Sequence, residues 1–143
     1  MRVLSVICVL SLLPLISVAQ AKQVLPGPFP FELVEVIDGD TFRARVDIWL
    51  GQSVTVRVRL KGVDTPEMEG KCAAEKKLAR QAKAFAENWF KKNQAQLVNV
   101  HYGTYAGRVL ATAQIKNGES LSAALLAENL AKPYRGRRAQ WCD

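Results

Sequence analysis

Histidine and cysteine are scarce in this 143-residue sequence, which contains one histidine, His101, and three cysteines. The sequence therefore offers too few histidines for general acid–base catalysis by a pair of them, and few ligands for a zinc site built from histidine and cysteine. We interpret His101 as an ordinary strand residue, because it lies in the middle of an apparent strand. The sequence also lacks a Gly-x-Ser-x-Gly motif and a glycine-rich phosphate loop, so it gives no support for serine-hydrolase or phosphate-loop chemistry.

Acidic residues are outnumbered, since 20 lysines and arginines face 13 aspartates and glutamates, for a net charge of +7. A small basic protein suggests an anionic partner, such as nucleic acid, a phosphate group or a membrane surface. Basic composition is also common among proteins that have no such partner. Charge alone therefore does not select a function class.

One apolar run, residues 3–18, follows Arg2 and leads to a small-x-small ending at Ala21. A basic start, a short apolar core and small residues at the end are typical of a secretory signal peptide. The run is short for a membrane span and Pro14 interrupts it, although a retained membrane anchor is the alternative. We therefore expect a signal peptide at residues 1–21, cleavage after Ala21, and a secreted or periplasmic protein without stable membrane association.

Two cysteines, Cys72 and Cys142, remain downstream of the expected cleavage site. An even number of cysteines in an oxidising compartment favours a disulfide, so we predict a bridge between these two residues. The bridge would hold Trp141 and the basic tail beside the loop that precedes the first long helix. Two free thiols or an intermolecular bridge are the alternatives, and we expect the mature protein to be a monomer.

Apolar periodicity predicts the elements of the fold. Alternation of apolar and polar residues predicts five strands, at residues 31–38, 41–50, 53–63, 95–104 and 107–116. Helical spacing predicts helices at 72–93 and 120–131, the second with Ser120 as its N-cap, and residues 22–30 form an extended lead-in. This order predicts an α+β fold that is mainly β: an OB-type Greek-key barrel of five antiparallel strands with two or three helices, in a domain spanning 31–143.

Acidic residues lie at the ends of the predicted strands. Asp38 and Asp40 flank Gly39 between the first two strands, and Asp64 follows the third. Because the second and third strands of a meander run antiparallel, Asp40 and Asp64 can converge. Two carboxylates held together repel unless a cation lies between them, and hard oxygen ligands select Ca²⁺, Mg²⁺ or Mn²⁺. Arg59 would add a planar guanidinium for a phosphodiester, although two ordinary turns with unrelated surface charges are the alternative.

These motifs resemble those of the thermonuclease, or staphylococcal-nuclease-like, family. The resemblance covers most of the predicted mature chain, through VIDGDTF at 36–42, VRLKGVDTPE at 58–67, AGRVLA at 106–111 and ENLAKPY at 128–134. It implies an OB barrel with helices and Ca²⁺-dependent hydrolysis of DNA and RNA.

The resemblance also implies roles for the acidic residues. It assigns the metal ligands to the carboxylates of Asp40 and Asp64 and to the backbone carbonyl of Thr65. Glu67 matches the acid that positions or deprotonates the attacking water. Asp38 matches a nearby acid that is not a direct ligand.

Basic and aromatic residues receive roles from the same resemblance. Arg59 and Arg108 match two arginines that bind the phosphate and complete the catalytic set with Glu67. Tyr105, Tyr134 and Lys71 are predicted to bind the substrate, the tyrosines by stacking on bases.

The basic tail leaves other functions open. Its arginines, Arg135, Arg137 and Arg138, are either solvated or in contact with nucleic acid. One alternative function is a nucleic-acid-binding OB module without catalysis. Another is an exported protein whose tail binds an acidic partner or an envelope surface.

Overall fold

A computed structural model describes residues 23–104 and 107–142 of the chain. The predicted signal peptide, with its cleavage site after Ala21, lies outside the described residues. Among the residues that are described, no helix combines the length and apolar character needed to cross a membrane.

Seven strands and two helices make up the described part of the chain. In chain order they are β1 (Phe29–Val36), β2 (Thr41–Trp49), β3 (Gln52–Leu60), β4 (Val63–Asp64), α1 (Ala73–Lys92), β5 (Gln96–Tyr102), β6 (Arg108–Gln114), α2 (Leu121–Ala127) and β7 (Lys132–Pro133). Five of the strands close a barrel in the order β1-β2-β3-β6-β5. The predicted mainly-β, OB-type barrel with helices is therefore confirmed.

The barrel strands are not all antiparallel, and this part of the sequence-based prediction is wrong. Strands β3 and β6 pair in parallel, with Arg57 opposite Arg108 and Leu60 opposite Ala111. The other four neighbouring pairs are antiparallel. A closed ring of five strands cannot reverse direction at every pair, because the number is odd, so one pair has to be parallel.

Several boundaries also differ from the prediction. Strand β1 begins inside the expected lead-in, because Phe29 pairs with Leu97 of β5. The predicted tail contributes β7, whose Lys132 lies opposite Asp64 in β4. Helix α2 stops at Ala127 rather than at residue 131, although Ser120 caps its start as predicted, accepting a 3.2 Å hydrogen bond from Ala123.

The hydrophobic core lies at the end of the barrel from which the acidic residues emerge. Phe42 and Val58 are almost fully buried inside the barrel, and α1 and α2 cover it with Ala82 and Leu125. Ile48, which alternation along β2 places on the same face as Phe42, is 58% exposed because the β2–β3 hairpin extends beyond the covered part of the barrel. The acidic turn thus lies next to buried core residues, which limits its movement.

Candidate active site

Asp40 and Asp64 converge at one end of the barrel. Asp40 immediately precedes β2, where Thr41 pairs with Arg59 of β3, and its carbonyl accepts a 2.8 Å hydrogen bond from the Leu60 amide. The Asp40 and Asp64 residues are only 1% and 2% exposed. One guanidinium nitrogen of Arg59 lies 2.5 Å from Oδ1 of Asp40, and the other lies 3.0 Å from Oδ1 of Asp64. A single planar group therefore bridges both carboxylates.

The Asp38–Asp40 turn is built to hold the Asp40 carboxylate still. The Thr41 hydroxyl donates to Oδ1 of Asp40 at 2.9 Å, and the Thr65 amide donates to Oδ2 at 2.9 Å. The Asp38 carboxylate accepts the Asp40 amide at 3.1 Å, which closes the turn locally. Gly39 is required by close packing, since a Cβ there would lie 2.7 Å from the Ala82 Cβ of α1. Hydrogen bonds and close packing thus fix the position of the turn relative to the Thr65 loop and α1.

The Asp64 carboxylate is held by the end of the chain. The Ala139 amide donates to its Oδ2 at 3.0 Å, and the indole nitrogen of Trp141 donates to the same oxygen at 3.4 Å. Residues 134–142, which we name the C-terminal clasp, therefore fold back over the acidic site. The Lys132 ammonium lies 4.5 Å from the centre of the Trp141 ring and donates to the Gln140 carbonyl at 2.6 Å, so the base of the clasp is also anchored.

The predicted disulfide is present in the structure and fixes the end of the clasp. Cys72 and Cys142 are bonded, with their Cα atoms 6.1 Å apart. Cys72 is the N-cap of α1, directly after the loop that carries Glu67. Among the tail arginines, Arg138 forms an ion pair with Glu75 while its side chain stays 42% exposed, and contact of these arginines with nucleic acid stays a prediction.

Glu75 organises the loop between β4 and α1. Its carboxylate is buried, with the residue only 3% exposed, and it accepts the Glu67 amide at 3.3 Å and the Lys71 amide at 2.9 Å. Burial raises the pKa of Glu75, but the two amides and the guanidinium of Arg138 outweigh it, so the pKa lies below the usual 4.5. The sequence motifs assigned no functional role to Glu75. Its spacing from the buried residues Ala79, Ala82 and Ala86 of α1 was the signal that it faces inward.

Negative charge accumulates around the Asp38–Asp40 turn. Burial raises the pKa of Asp38 to about 7, and the charges of Asp40 and Glu67 add to this increase. The Asp38 carboxyl group is therefore harder to ionise than an ordinary aspartate, mainly because it is buried.

The second predicted phosphate-binding arginine lies on a neighbouring strand. Arg108 is half-buried at the start of β6, where it pairs with Arg57 of β3, two residues before Arg59. Paired residues point to the same side of a sheet, as do residues two apart along a strand. The side chains of Arg57, Arg59 and Arg108 therefore share the outer face of the barrel.

The residues predicted to bind substrate fall in three different situations. The ring centre of Tyr134 lies 5.9 Å from the guanidinium carbon of Arg59, and this tyrosine is 46% exposed, so it borders the site. Lys71 is exposed and lies in the Glu67 loop, where its amide binds Glu75. Tyr105 lies outside the described residues. A substrate-binding role stays a prediction for all three.

Comparison with known proteins agrees with this geometry. The sequence profile of the family described as Staphylococcal nuclease homologue matches residues 57–141, more than half of the chain. The chain belongs to the staphylococcal nuclease family. None of the curated proteins compared with it matches. Members of this family are in general phosphodiesterases that act on nucleic acids and depend on Ca²⁺. The match includes Arg59, Asp64, Glu67 and Arg108, whereas Asp40 lies upstream of it.

The donor set of this family member fits a hard divalent cation. A carboxylate oxygen can accept two hydrogen bonds or ligand bonds. Among the described residues, Oδ2 of Asp40 accepts only the Thr65 amide, and Oδ1 of Asp64 accepts only Arg59. Each of these oxygens therefore has one lone pair left that can bind a metal ion. Rigid, buried carboxylate oxygens with spare lone pairs are the ligands that Ca²⁺ takes in proteins.

Proposed function

We propose that this protein is a Ca²⁺-dependent nuclease that hydrolyses phosphodiester bonds of DNA, RNA or both. One observation carries the proposal: Arg59 bridges two buried carboxylates, Asp40 and Asp64, in a chain that belongs to a nuclease family. Hydrolysis of a phosphodiester needs positive charge to hold the phosphate and a base that acts on the attacking water. Arg59 and a cation held by the two aspartates would supply the positive charge, and Glu67 would supply the base.

The acidic pair would hold the cation. Asp40 and Asp64 would contribute carboxylate oxygens, and Thr65, which is buried and donates its amide to Asp40, would contribute its backbone carbonyl. A bound Ca²⁺ would make an adjacent water more acidic and offset negative charge on the phosphate.

Glu67 would prepare the attacking water. It lies in the loop that follows Asp64 and is half-buried. An ionised carboxylate there can orient the water or take its proton as the oxygen bonds to phosphorus. The bond from phosphorus to the leaving oxygen then breaks, and that oxygen takes up a proton. Glu67 thereby acts on the nucleophile, whereas the arginines act on the phosphate.

Arg59 and Arg108 would stabilise the charge that develops on the phosphoryl oxygens. A guanidinium has five N–H donors in a rigid fork, and Arg59 uses two of its nitrogens on the carboxylates. Its remaining donors are available for a phosphate oxygen. Because the carboxylates hold the fork in place before substrate binds, little reorganisation is needed, which is the condition for strong electrostatic catalysis.

A cleavage assay tests the proposal directly. Purified protein is incubated with single-stranded DNA, double-stranded DNA and RNA, each with Ca²⁺, with Mg²⁺ and with a chelator. We expect cleavage with Ca²⁺ that the chelator abolishes. Asp40→Asn should remove this activity. Asp47→Asn should not, because Asp47 is an exposed acid near the far end of β2, the strand that follows Asp40. Binding of nucleic acid without cleavage under all conditions would instead support a non-catalytic OB module.

We also propose that the protein is exported and acts as a monomer. A signal-like N-terminal segment supports export, as does a disulfide, since such bonds persist in oxidising compartments. N-terminal sequencing of protein from the culture medium and periplasm should begin at Lys22. Light scattering on the same sample should give the mass of one chain.

A further inference from the structure

Glu75 connects two parts of the active site that are distant in sequence. Its Oε1 accepts the amide of Glu67 and an ion pair from Arg138, while its Oε2 accepts the amide of Lys71. Glu67 belongs to the loop before α1, and Arg138 belongs to the C-terminal clasp. A single carboxylate therefore holds both segments.

The loop is shaped around this carboxylate. The Gly70 amide donates to the Glu67 carbonyl at 2.9 Å, which turns the chain so that the Glu67 and Lys71 amides both face Glu75. A Cβ at position 70 would lie 2.5 Å from the Cδ of Glu75, so only glycine allows the loop to close this tightly. Burying a carboxylate is costly unless charge-assisted donors satisfy it, and these contacts supply them. Without the charge of Glu75, the loop would lose the group around which it folds.

The same carboxylate acts on Asp64 through the clasp. Arg138 is held by Glu75, and the next residue, Ala139, donates its amide to Asp64. Trp141 donates to the same carboxylate oxygen, and Cys142 is bonded to Cys72, three residues before Glu75. These contacts connect Glu67, Glu75 and Asp64 without involving the substrate.

We propose that Glu75 is a positioning residue that sets Glu67 relative to Asp64, by holding the Glu67 loop directly and the C-terminal clasp through Arg138. This inference rests on the proposed nuclease function. Glu75 does not touch the substrate. Its effect is exerted on kcat through Glu67, whereas Arg59 and Arg108 continue to bind the phosphate, so KM should change little.

A double-mutant cycle tests the inference. Partners that orient catalytic groups from the surrounding shell typically cost about 10–100-fold in activity, and we expect Glu75→Gln to lower kcat by this factor with KM within about twofold. In a Glu67→Gln background, adding Glu75→Gln should change kcat by less than about twofold, because the group that it positions is already lost. Multiplicative losses in the double variant would overturn the proposal.

Matched variants separate positioning from general damage. Glu69→Gln removes an exposed acid from the same loop and should leave kcat unchanged. Arg138→Gln breaks the ion pair to Glu75 and should reproduce part of the loss. Arg137→Gln should leave kcat unchanged, because Arg137 is exposed and forms no ion pair with the described residues. Should Glu75→Gln fail to fold, the Arg138 and Arg137 pair carries the test, and equal kcat for these two variants would overturn the proposal.

A readout without substrate keeps this inference distinguishable from the proposed function. Hydrogen exchange at the Glu67 and Lys71 amides should be faster in Glu75→Gln than in Glu69→Gln, since only the former loses the charged acceptor. If the wild-type protein cleaves nothing, the proposed function fails, and exchange alone then decides whether Glu75 holds the loop. Unchanged exchange at both amides would overturn the positioning role.

Discussion

The guanidinium of Arg59 lies 2.5 Å from the Asp40 carboxylate, across the register that places Thr41 of β2 opposite Arg59 of β3. The arginine side chain is only 16% exposed and also reaches Asp64. Its planar fork can contact both carboxylates at once, which the single ammonium of a lysine cannot do from one position.

Arg59→Lys is therefore expected to be nearly as damaging as Arg59→Ala. Both variants should lose at least about 10²-fold in kcat/KM, because a lysine ammonium cannot contact both carboxylates and also donate to a phosphate oxygen as the guanidinium can. Steady-state cleavage of a short oligonucleotide checks this, with circular dichroism to verify folding. Near-full activity in Arg59→Lys would show that the fork geometry is unimportant.

Asp40→Asn should remove calcium binding while leaving the barrel folded. The amide keeps an oxygen for the Thr65 amide but loses the charge that a divalent cation requires. Isothermal calorimetry should show Ca²⁺ heats for the wild type and for Asp47→Asn, and none for Asp40→Asn. Ca²⁺ should also raise the Tm of the wild type, since a ligand of the folded state stabilises it. Equal calcium affinity in all three proteins would contradict the assignment of Asp40.

Glu67→Gln should reduce kcat by about 10²–10⁴-fold, the range for a positioned acid or base. Calcium affinity should change by no more than a few-fold, because Glu67 is not among the assigned ligands. Single-turnover cleavage with saturating Ca²⁺ measures the chemical step. A variant that binds calcium normally and also cleaves at the wild-type rate would exclude Glu67 as the acid acting on water.

Loss of the Cys72–Cys142 disulfide should destabilise the fold. The two cysteines are 70 residues apart, and in the chain-entropy model closing a loop of this size stabilises a protein by about 4 kcal/mol. Urea unfolding of the Cys72→Ser/Cys142→Ser variant should show this loss relative to the oxidised wild type. The reduced wild type should resemble the variant, and identical midpoints for all three samples would contradict a stabilising role.

Acid should weaken the contribution of Glu75 to stability. Its pKa in the folded protein is below 4.5, so the unfolded chain takes up the proton first as pH falls. The stabilisation is fully present above about pH 5 and is lost as pH falls through the folded pKa. The difference in unfolding free energy between wild type and Glu75→Gln should shrink over this range. Comparison with the variant is needed because Asp38, with its pKa raised to about 7, shifts stability in the opposite direction.

Much of this protein is determined by local sequence. Alternating residues in β2 bury Phe42 and Ala44, and helical spacing buries Ala82 and Ala86 of α1. Convergence of Asp40 and Asp64 follows from antiparallel pairing of two consecutive strands. The disulfide follows from the count of cysteines outside the predicted signal peptide. These features depend on periodicity or on neighbours along the chain, so a single sequence is enough to predict them.

Long-range contacts were decided only by the tertiary structure. The parallel pairing of β3 with β6 arises from closure of a five-stranded ring, and no local pattern encodes it. Ala139 donates to Asp64 across 75 positions of the chain, through a backbone amide that every residue except proline carries. Sequence cannot indicate which such amide will meet a given carboxylate. Helical spacing places Glu75 on the buried face of α1, but its partners, two amides and an arginine, meet only after the clasp has folded over the site.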